Sequence, residues 1–228
     1  MTIPQLMPLG TRPESLSNLV LEQIKLAIVN KEIAPGTRIS EAALAKQLQV
    51  SKTPVREALL RLRHIGLVSP HGTGLQVVQP SRESIREAYE LRGGLERASA
   101  RFASMRCTES QQLLLAELAD GSLETTLAGD ARGFREFDSK FHRHVALFSG
   151  NELLNSAIDD ALMLTSALRA RDVPMPKNDS VSCAKEHVRI AEAIAHGRAD
   201  IAGEAMEEHV GHVMSMVLAV FDETDLTR

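Results

Sequence analysis

The chain has 228 residues, of which 43% are hydrophobic and 25% are charged, and its formal net charge at pH 7 is −4. This length accommodates a small domain and a second domain of about 150 residues with its own core, and neither a repeat of fixed period nor a low-complexity segment occurs. The longest apolar run, residues 213–221, is too short to span a bilayer and the first residues lack a signal-peptide pattern, so a cytoplasmic protein rather than a membrane or secreted one is expected.

Two short helices joined by a polar turn are predicted between residues 41 and 65. Apolar residues recur at the three-to-four spacing of a packed helix face, at Ala43, Leu44 and Leu48 in the first helix and at Val55, Leu59 and Leu62 in the second. Ser51 is predicted to cap the second helix and Gly66 to end it. A helix, a turn and a second helix with a basic opening are typical of proteins that read duplex DNA.

A two-stranded hairpin is predicted over residues 67–78, around a glycine-containing turn. With the two helices before it, this hairpin completes a winged helix-turn-helix pattern. The alternative is a small helical packing unit with a surface hairpin, but the ordered set of elements favours the winged fold.

The start of the second predicted helix combines a cationic side chain with free backbone N–H groups, which makes an anion site. Ser51, Lys52 and Thr53 are expected to meet phosphates or base edges there, and Arg56, one turn further on, to reach into the major groove. The wing tip, residues 71–73 with His71 and Gly72, is expected near the minor groove or the backbone, where glycine permits close approach.

Charge is divided unevenly along the chain. Residues 1–80 hold 9 Lys/Arg and 5 Asp/Glu, a net +4, whereas residues 81–228 hold 17 and 25, a net −8. Only the first segment therefore suits DNA. All six Phe and the single Tyr lie beyond residue 80, so this segment lacks the aromatic platforms of a single-strand binder, and double-stranded DNA is the expected partner.

Residues 81–228 are predicted to form a separate, all-α domain. No proline occurs between Pro80 and Pro174, and apolar residues recur at helical spacing. A bundle of about six helices is expected, over residues 81–105, 109–128, 131–149, 151–171, 178–196 and 199–222. Ser81 is predicted to cap the first of them, after a hinge at Pro80-Ser81. The fold class is thus mainly α, with a winged helix-turn-helix at residues 1–80 and a helical bundle at residues 81–228.

A candidate metal site begins with Asp138 and His142, whose i, i+4 spacing places a carboxylate and an imidazole on one helix face. His187 and His209 lie in the last two predicted helices. One oxygen and three nitrogens suit zinc, and also nickel, cobalt, manganese or iron. Judged by spacing alone, an Asp/His pair on a helix is more often a hydrogen-bonded pair on the surface or in the core than a metal site.

The N-terminal pattern resembles the GntR family of bacterial transcription regulators. The similarity covers roughly residues 15–80 and is carried by Ala34-Pro35-Gly36-Thr37-Arg38-Ile39, Val50-Ser51, Thr53-Pro54-Val55-Arg56-Glu57-Ala58-Leu59 and Gly66-Leu67-Val68. It implies that Arg38 joins the DNA-contacting residues. Lys52 stands where the family usually carries arginine, which keeps the charge but loses the bidentate fork, so phosphate binding rather than guanine readout is expected there.

The rest of the chain resembles the FadR C-terminal ligand-binding domain, abbreviated FCD. The resemblance is carried by Asp138-Ser139-Lys140-Phe141-His142, Gly150-Asn151, Glu186-His187, and Met206 with His209. It implies a divalent metal ion bound by Asp138, His142, His187 and His209, with zinc as the expected ion.

The same resemblance implies a small carboxylic acid as effector, held by the metal and by an arginine. Arg92, within Glu90-Leu91-Arg92, is the leading candidate, and Arg135 and Asn151 are further candidates. A surface ion pair with Glu96 is the alternative role of Arg92. Gly93-Gly94 departs from the family pattern and is expected to weaken the helix or to permit close approach of a ligand or another helix.

We therefore expect a homodimeric, sequence-specific DNA-binding regulator that acts on an inverted repeat, by default as a repressor, and that is not an enzyme. A metal-ion-sensing regulator is one alternative. A metal-dependent hydrolase is another, although no His-Glu-x-x-His, Gly-x-Ser-x-Gly or Walker motif occurs. Cys107 and Cys183 have neither metal nor redox spacing and are expected to fill core or surface positions.

Overall fold

The computed structural model describes residues 15–169 and 177–225. The chain divides into two compact units, Met1–Gln79 and Pro80–Arg228. None of the helices in the described ranges is long and apolar enough to cross a membrane.

The first unit is a winged helix-turn-helix, as predicted. Its elements are α1 (Leu16–Val29), β1 (Arg38–Ile39), α2 (Glu41–Gln47), α3 (Lys52–Ile65), β2 (Val68–His71) and β3 (Gly74–Val77). The strands form an antiparallel sheet in the order β1-β3-β2, with Gln76 opposite both Arg38 and Ser69. The sheet thus adds β1 to the predicted hairpin.

Helix α3 packs against α1 and α2 through a buried apolar face that includes Val55, Leu59 and Leu62. It ends at Gly66, whose φ of 87° lies in the left-handed region that favours glycine.

One local prediction for α2 was wrong. Ala43 is exposed and Ala45 is the buried residue of α2, because the helix face that meets α3 is rotated relative to the predicted one. In α3, Ser51 occupies the N-cap position as predicted, although its side chain makes no capping hydrogen bond.

The second unit consists of six helices within the described residues, in agreement with the predicted bundle. They are α4 (Arg82–Arg106), α5 (Glu109–Leu127), α6 (Ala131–Phe148), α7 (Glu152–Leu168), α8 (Lys177–Ala195) and α9 (Ala199–Asp225). Helix α4 runs without a break through Gly93-Gly94, so the predicted weakening at these glycines does not interrupt it. Gly93 instead lies against Val210 of α9.

Polar caps explain why the helices begin where they do. Ser81 and Ser84 form a capping box at the start of α4, and Thr108 and Gln111 form another at the start of α5. Asp130 caps α6 through the backbone N–H groups of Arg132 and Gly133. Each such cap typically stabilises a helix by about 1 kcal/mol.

Helix α4 contacts α6, α7, α8 and α9, and α5 packs against α6 and α8. At the α5–α6 contact, a Cβ on Gly121 would overlap the ring of Phe137, so the glycine permits this close approach. The packing brings inward-facing residues of α4, α5, α6, α8 and α9 together around one buried polar cluster.

Candidate metal centre and DNA-binding surface

The four residues predicted to bind metal lie together inside the second unit. Asp138 and His142 come from α6, His187 from α8 and His209 from α9, and one ligand atom from each lies within 4.8 Å of all the others. The three imidazoles are buried, whereas the side chain of Asp138 is 23% exposed.

Three imidazole nitrogens converge on one point. Nε2 of His209 lies 3.2 Å from Nε2 of His187 and 3.2 Å from Nε2 of His142. Oδ1 of Asp138 lies 3.6 Å from Nε2 of His187 and 3.8 Å from Nε2 of His142. Nitrogen ligands about 2.0–2.1 Å from a tetrahedral zinc ion are about 3.3 Å apart, so the donor set fits such an ion.

The opposite nitrogen of each ring has its own partner. Nδ1 of His142 is hydrogen-bonded to Glu96 of α4, and Nδ1 of His209 lies 2.8 Å from Oε2 of Glu186. Nδ1 of His187 lies 3.1 Å from Oγ of Ser122. Such partners fix the ring orientation of metal-binding histidines and raise their basicity.

These partners determine where the ring protons lie. A carboxylate only accepts hydrogen bonds, so His142 and His209 each donate from Nδ1, and in the neutral form each ring presents an unprotonated Nε2 to the cluster. In that neutral form, two Nε2 lone pairs face each other at 3.2 Å in a buried site. That arrangement is unfavourable unless a cation or a proton lies between them.

Burial also favours the neutral, metal-binding form of His187 and His209. It lowers the pKa of His187 well below the ordinary value, and positive charge on His209, His142 and Arg92 lowers it further. Burial likewise lowers the pKa of His209, although its hydrogen bond to Glu186 opposes the shift. A neutral imidazole is the form that coordinates metal ions.

Glu96 and Arg92 form a buried ion pair beside the cluster. Nε of Arg92 lies 2.5 Å from Oε1 of Glu96, and the two side chains are 5% and 0% exposed. Burial alone would raise the pKa of Glu96, but Arg92 and His142 lower it to about 2, so the carboxylate is ionised. The alternative role predicted for Arg92, an ion pair with Glu96 at the surface, has the correct partner. Its location was wrong, because the pair is buried.

The other two predicted effector residues are placed differently. Arg135 is exposed on α6, one turn before Asp138. Asn151 caps α7, where its side-chain oxygen accepts a hydrogen bond from the backbone N–H of Leu154. Of the three residues, only Arg92 lies in the buried network with the histidines.

Three residues of this network were not predicted as part of the site: Glu96, Ser122 and Glu186. The sequence indicates Glu96 only as a partner of Arg92, and Glu186 only as a neighbour of His187 in the family pattern. Ser122 carried no signal in the sequence, because its contact with His187 joins residues 65 positions apart.

The residues predicted to contact DNA are all exposed in the first unit. Lys52 and Thr53 open α3, directly after Ser51, and Arg56 follows one turn later. Arg38 of β1 lines a surface concavity together with His71 and Gly72 of the wing. The structure thus places this set around the start of α3 and along the β1–wing edge.

Arg56 is engaged within the unit. Its guanidinium forms an ion pair with Glu41, the first residue of α2, with Nη2 3.1 Å from Oε2. The Arg56 side chain is 65% exposed, so the pair leaves most of the guanidinium accessible.

Comparison with known proteins identifies both parts of the chain. Residues 16–77 match the family described as "Bacterial regulatory proteins, gntR family", and residues 87–212 match the FCD domain. The HTH-type transcriptional regulator LutR of Bacillus subtilis (strain 168) is 32% identical over 218 residues, which cover 86% of this chain and 98% of LutR.

Other similar proteins agree with this assignment. The HTH-type transcriptional repressor NanR of Cronobacter sakazakii (strain ATCC BAA-894) is 28% identical over 91% of this chain and 88% of its own. The solved structure of E. coli McbR/YncC has the same fold, with a TM-score of 0.74 at 20% identity over 92% of this chain and all of that one. The chain belongs to the GntR family and is a DNA-binding transcriptional regulator with an FCD domain.

Proposed function

We propose that residues 81–228 hold a divalent metal ion at Asp138, His142, His187 and His209, bind a small carboxylic acid there, and form the dimer contact. Binding of the acid changes the affinity of residues 1–80 for an inverted-repeat operator. The chain acts as a repressor in this proposal, as NanR of Cronobacter sakazakii is named to do.

The observation that carries the metal assignment is the facing pair of Nε2 atoms of His142 and His209, 3.2 Å apart. Glu96 and Glu186 hold the Nδ1 protons of these rings on the far side. Two neutral histidines in an ordinary core gain nothing from placing their lone pairs opposite each other, whereas a cation between them stabilises both lone pairs. Zinc suits the set best, because three nitrogens and one carboxylate oxygen are its common ligands.

A divalent ion held by these four residues would supply a Lewis-acid site for one carboxylate oxygen as an additional, fifth ligand. Glu96, Ser122 and Glu186 keep the three imidazoles in position. Arg92 contributes a permanent buried positive charge next to Glu96, and the carboxylates of Glu96 and Asp138 raise its pKa against the effect of burial. Because Glu96 balances the charge of Arg92, it is the divalent ion that would favour an anionic effector over a neutral one.

The effector controls DNA binding because it has different affinities for the DNA-binding and the non-binding states of the chain. An effector can shift the chain between DNA-binding and non-binding states only as far as it prefers one of them. Two chains related by a twofold axis present two α3 helices at a spacing that matches an inverted repeat.

The test combines metal analysis with ligand screening. The gently purified protein should contain about one metal ion per chain at this cluster, and Asp138→Ala and His187→Ala should lose it. Mono-, di- and tricarboxylic acids should then raise the Tm of the metal-loaded protein only. Metal content unchanged by both substitutions would contradict the assignment of the site.

A metal-sensing regulator is the second candidate. Four protein ligands can complete a tetrahedral shell without an effector, which favours the ion itself as the signal. In that case a chelator changes operator affinity and carboxylic acids have no effect. In the effector mechanism, the acid changes operator affinity at constant metal content.

A further inference from the structure

A second group of metal-ligating side chains lies next to the first cluster. Cys183 and Glu186 occupy one face of α8, and His212 extends from α9. One ligand atom from each lies within 4.8 Å of the others. We propose that Cys183, Glu186 and His212 form a second, thiolate-containing site for a divalent cation of the zinc class, separate from the site on which the proposed function rests.

The three groups are already held together. Oε1 of Glu186 lies 2.7 Å from Nδ1 of His212, while Oε2 lies 2.8 Å from Nδ1 of His209. Glu186 thus has one oxygen directed to each group of residues. An ion at the second site replaces the hydrogen bond between Glu186 and His212 and leaves the one to His209 in place.

The donor set determines the class of ion. A thiolate, an imidazole and a carboxylate suit zinc and similar borderline-soft ions, whereas magnesium and calcium take oxygen ligands. Three protein ligands leave a coordination position for water or another small ligand. This composition differs from the first cluster, which contains no sulfur.

The thiol of Cys183 is converted to the thiolate, the form that binds metal, only when a cation binds. Burial raises the pKa of its thiol to about 12, and the nearby carboxylates of Glu186 and Asp138 contribute to the shift. Without a metal the thiol stays protonated. Binding of the divalent ion forms the metal–sulfur bond and releases the thiol proton to solvent.

The second site is accessible from solvent on one side. The side chain of His212 is 34% exposed and that of Glu186 is 19% exposed, whereas Cys183 is only 1% exposed. An ion can therefore reach the two outer ligands first and the buried sulfur last. Because Glu186 also contacts His209, occupation of the second site acts directly on a ligand of the first.

Cobalt(II) distinguishes the two sites, since only a thiolate gives it an intense near-ultraviolet charge-transfer band. Titration of metal-free, reduced full-length protein with Co²⁺ is expected to bind two ions per chain and to produce this band. Cys183→Ser should abolish the band and the second equivalent. Cys107→Ser, at the chain's other cysteine, should retain both.

Two further variants keep the inference testable if Cys183→Ser fails to fold. His212→Ala alters a partly exposed side chain and should weaken the second equivalent at least about tenfold, whereas His144→Ala should not. Asp138→Ala should lose one equivalent and keep the charge-transfer band. If Asp138→Ala keeps both ions, the first site fails while the second stands.

The opposite results overturn the inference. One Co²⁺ per chain at saturation without a charge-transfer band means that no second site exists, whereas one Co²⁺ with the band means that the first site, and with it the proposed function, fails. A charge-transfer band that persists in Cys183→Ser, or a second equivalent that is unaffected by His212→Ala, excludes these ligands.

Discussion

The carboxylate of Glu96 on α4 is hydrogen-bonded to Nδ1 of His142 on α6, and both side chains are completely buried. Arg92 lies one helical turn away and pairs with the same carboxylate. The chain thus places one negative and one positive side chain on the Nδ1 side of His142, a predicted metal ligand. This arrangement directs Nε2 of His142 toward His209.

The Glu96→Gln variant is predicted to weaken metal binding by about 10–100-fold, the usual effect of removing such a partner. The amide keeps the shape of the side chain but removes the charge that balances Arg92. Competition with a chromophoric chelator measures the change. Glu90→Gln, an exposed position on the same helix, is the control, and equal metal affinities in the two variants would contradict the role of Glu96.

The metal-free protein is predicted to lose stability in mild acid. Burial, with the neighbouring charges, lowers the pKa of His187, and burial also lowers that of His209. The unfolded chain takes up protons on these rings near pH 6.5, whereas the folded chain does so only at lower pH. The free energy of unfolding therefore falls as the pH drops below about 6.5, and these groups leave it unchanged well above that value.

Urea unfolding of chelator-treated protein at several pH values tests this expectation. The His187→Gln variant should show a smaller loss of stability between neutral pH and mild acid. His196→Gln, at an exposed position, should behave like the parent protein. An identical pH dependence in all three proteins would exclude a contribution from His187.

Arg56→Ala is predicted to weaken binding to the specific operator by about 1–3 kcal/mol, because the guanidinium of α3 is expected to contact a base edge. The measurement is a fluorescence anisotropy titration with specific and with scrambled duplexes at one salt concentration. Arg101→Ala removes an exposed arginine of the second unit that pairs with Asp200, and should leave operator affinity unchanged. A loss of the same size on scrambled DNA would indicate a phosphate contact instead.

Lys52 is predicted to bind a phosphate rather than a base. Lys52→Ala should therefore weaken specific and non-specific duplexes to a similar extent and lower the slope of log K against log salt by about 1. Lys52→Arg should restore that slope. A selective loss on the specific duplex would assign base readout to Lys52.

The helix limits were predictable because their determinants are local. Ser81 caps α4 through Ser84, three residues away, and α4 starts one residue after the cap. The six predicted helices of the second unit accordingly differ from the observed ones by only a few residues at each end. At α2, where burial depends on the angle of packing against α3, the prediction failed at Ala43.

The candidate site was predictable only in part. The spacing of Asp138 and His142 and the resemblance to the FCD domain selected the four residues that the fold brings together. The sequence offered no comparable signal for the contacts of Ser122 with His187 or of Glu96 with His142, since each joins two helices far apart in the chain. The proximity of Cys183 to His212 is equally a product of the packing of α8 on α9.

The most direct test of the regulatory mechanism is operator affinity measured with and without carboxylic acid, for the metal-loaded protein and for the metal-free protein. The acid is taken from those that raise the Tm of the loaded form. We predict that it changes the Kd for operator DNA at least about fivefold when metal is bound, and not when metal is absent. An equal change in both forms, or no change in either, would contradict a metal-anchored effector site that controls DNA binding.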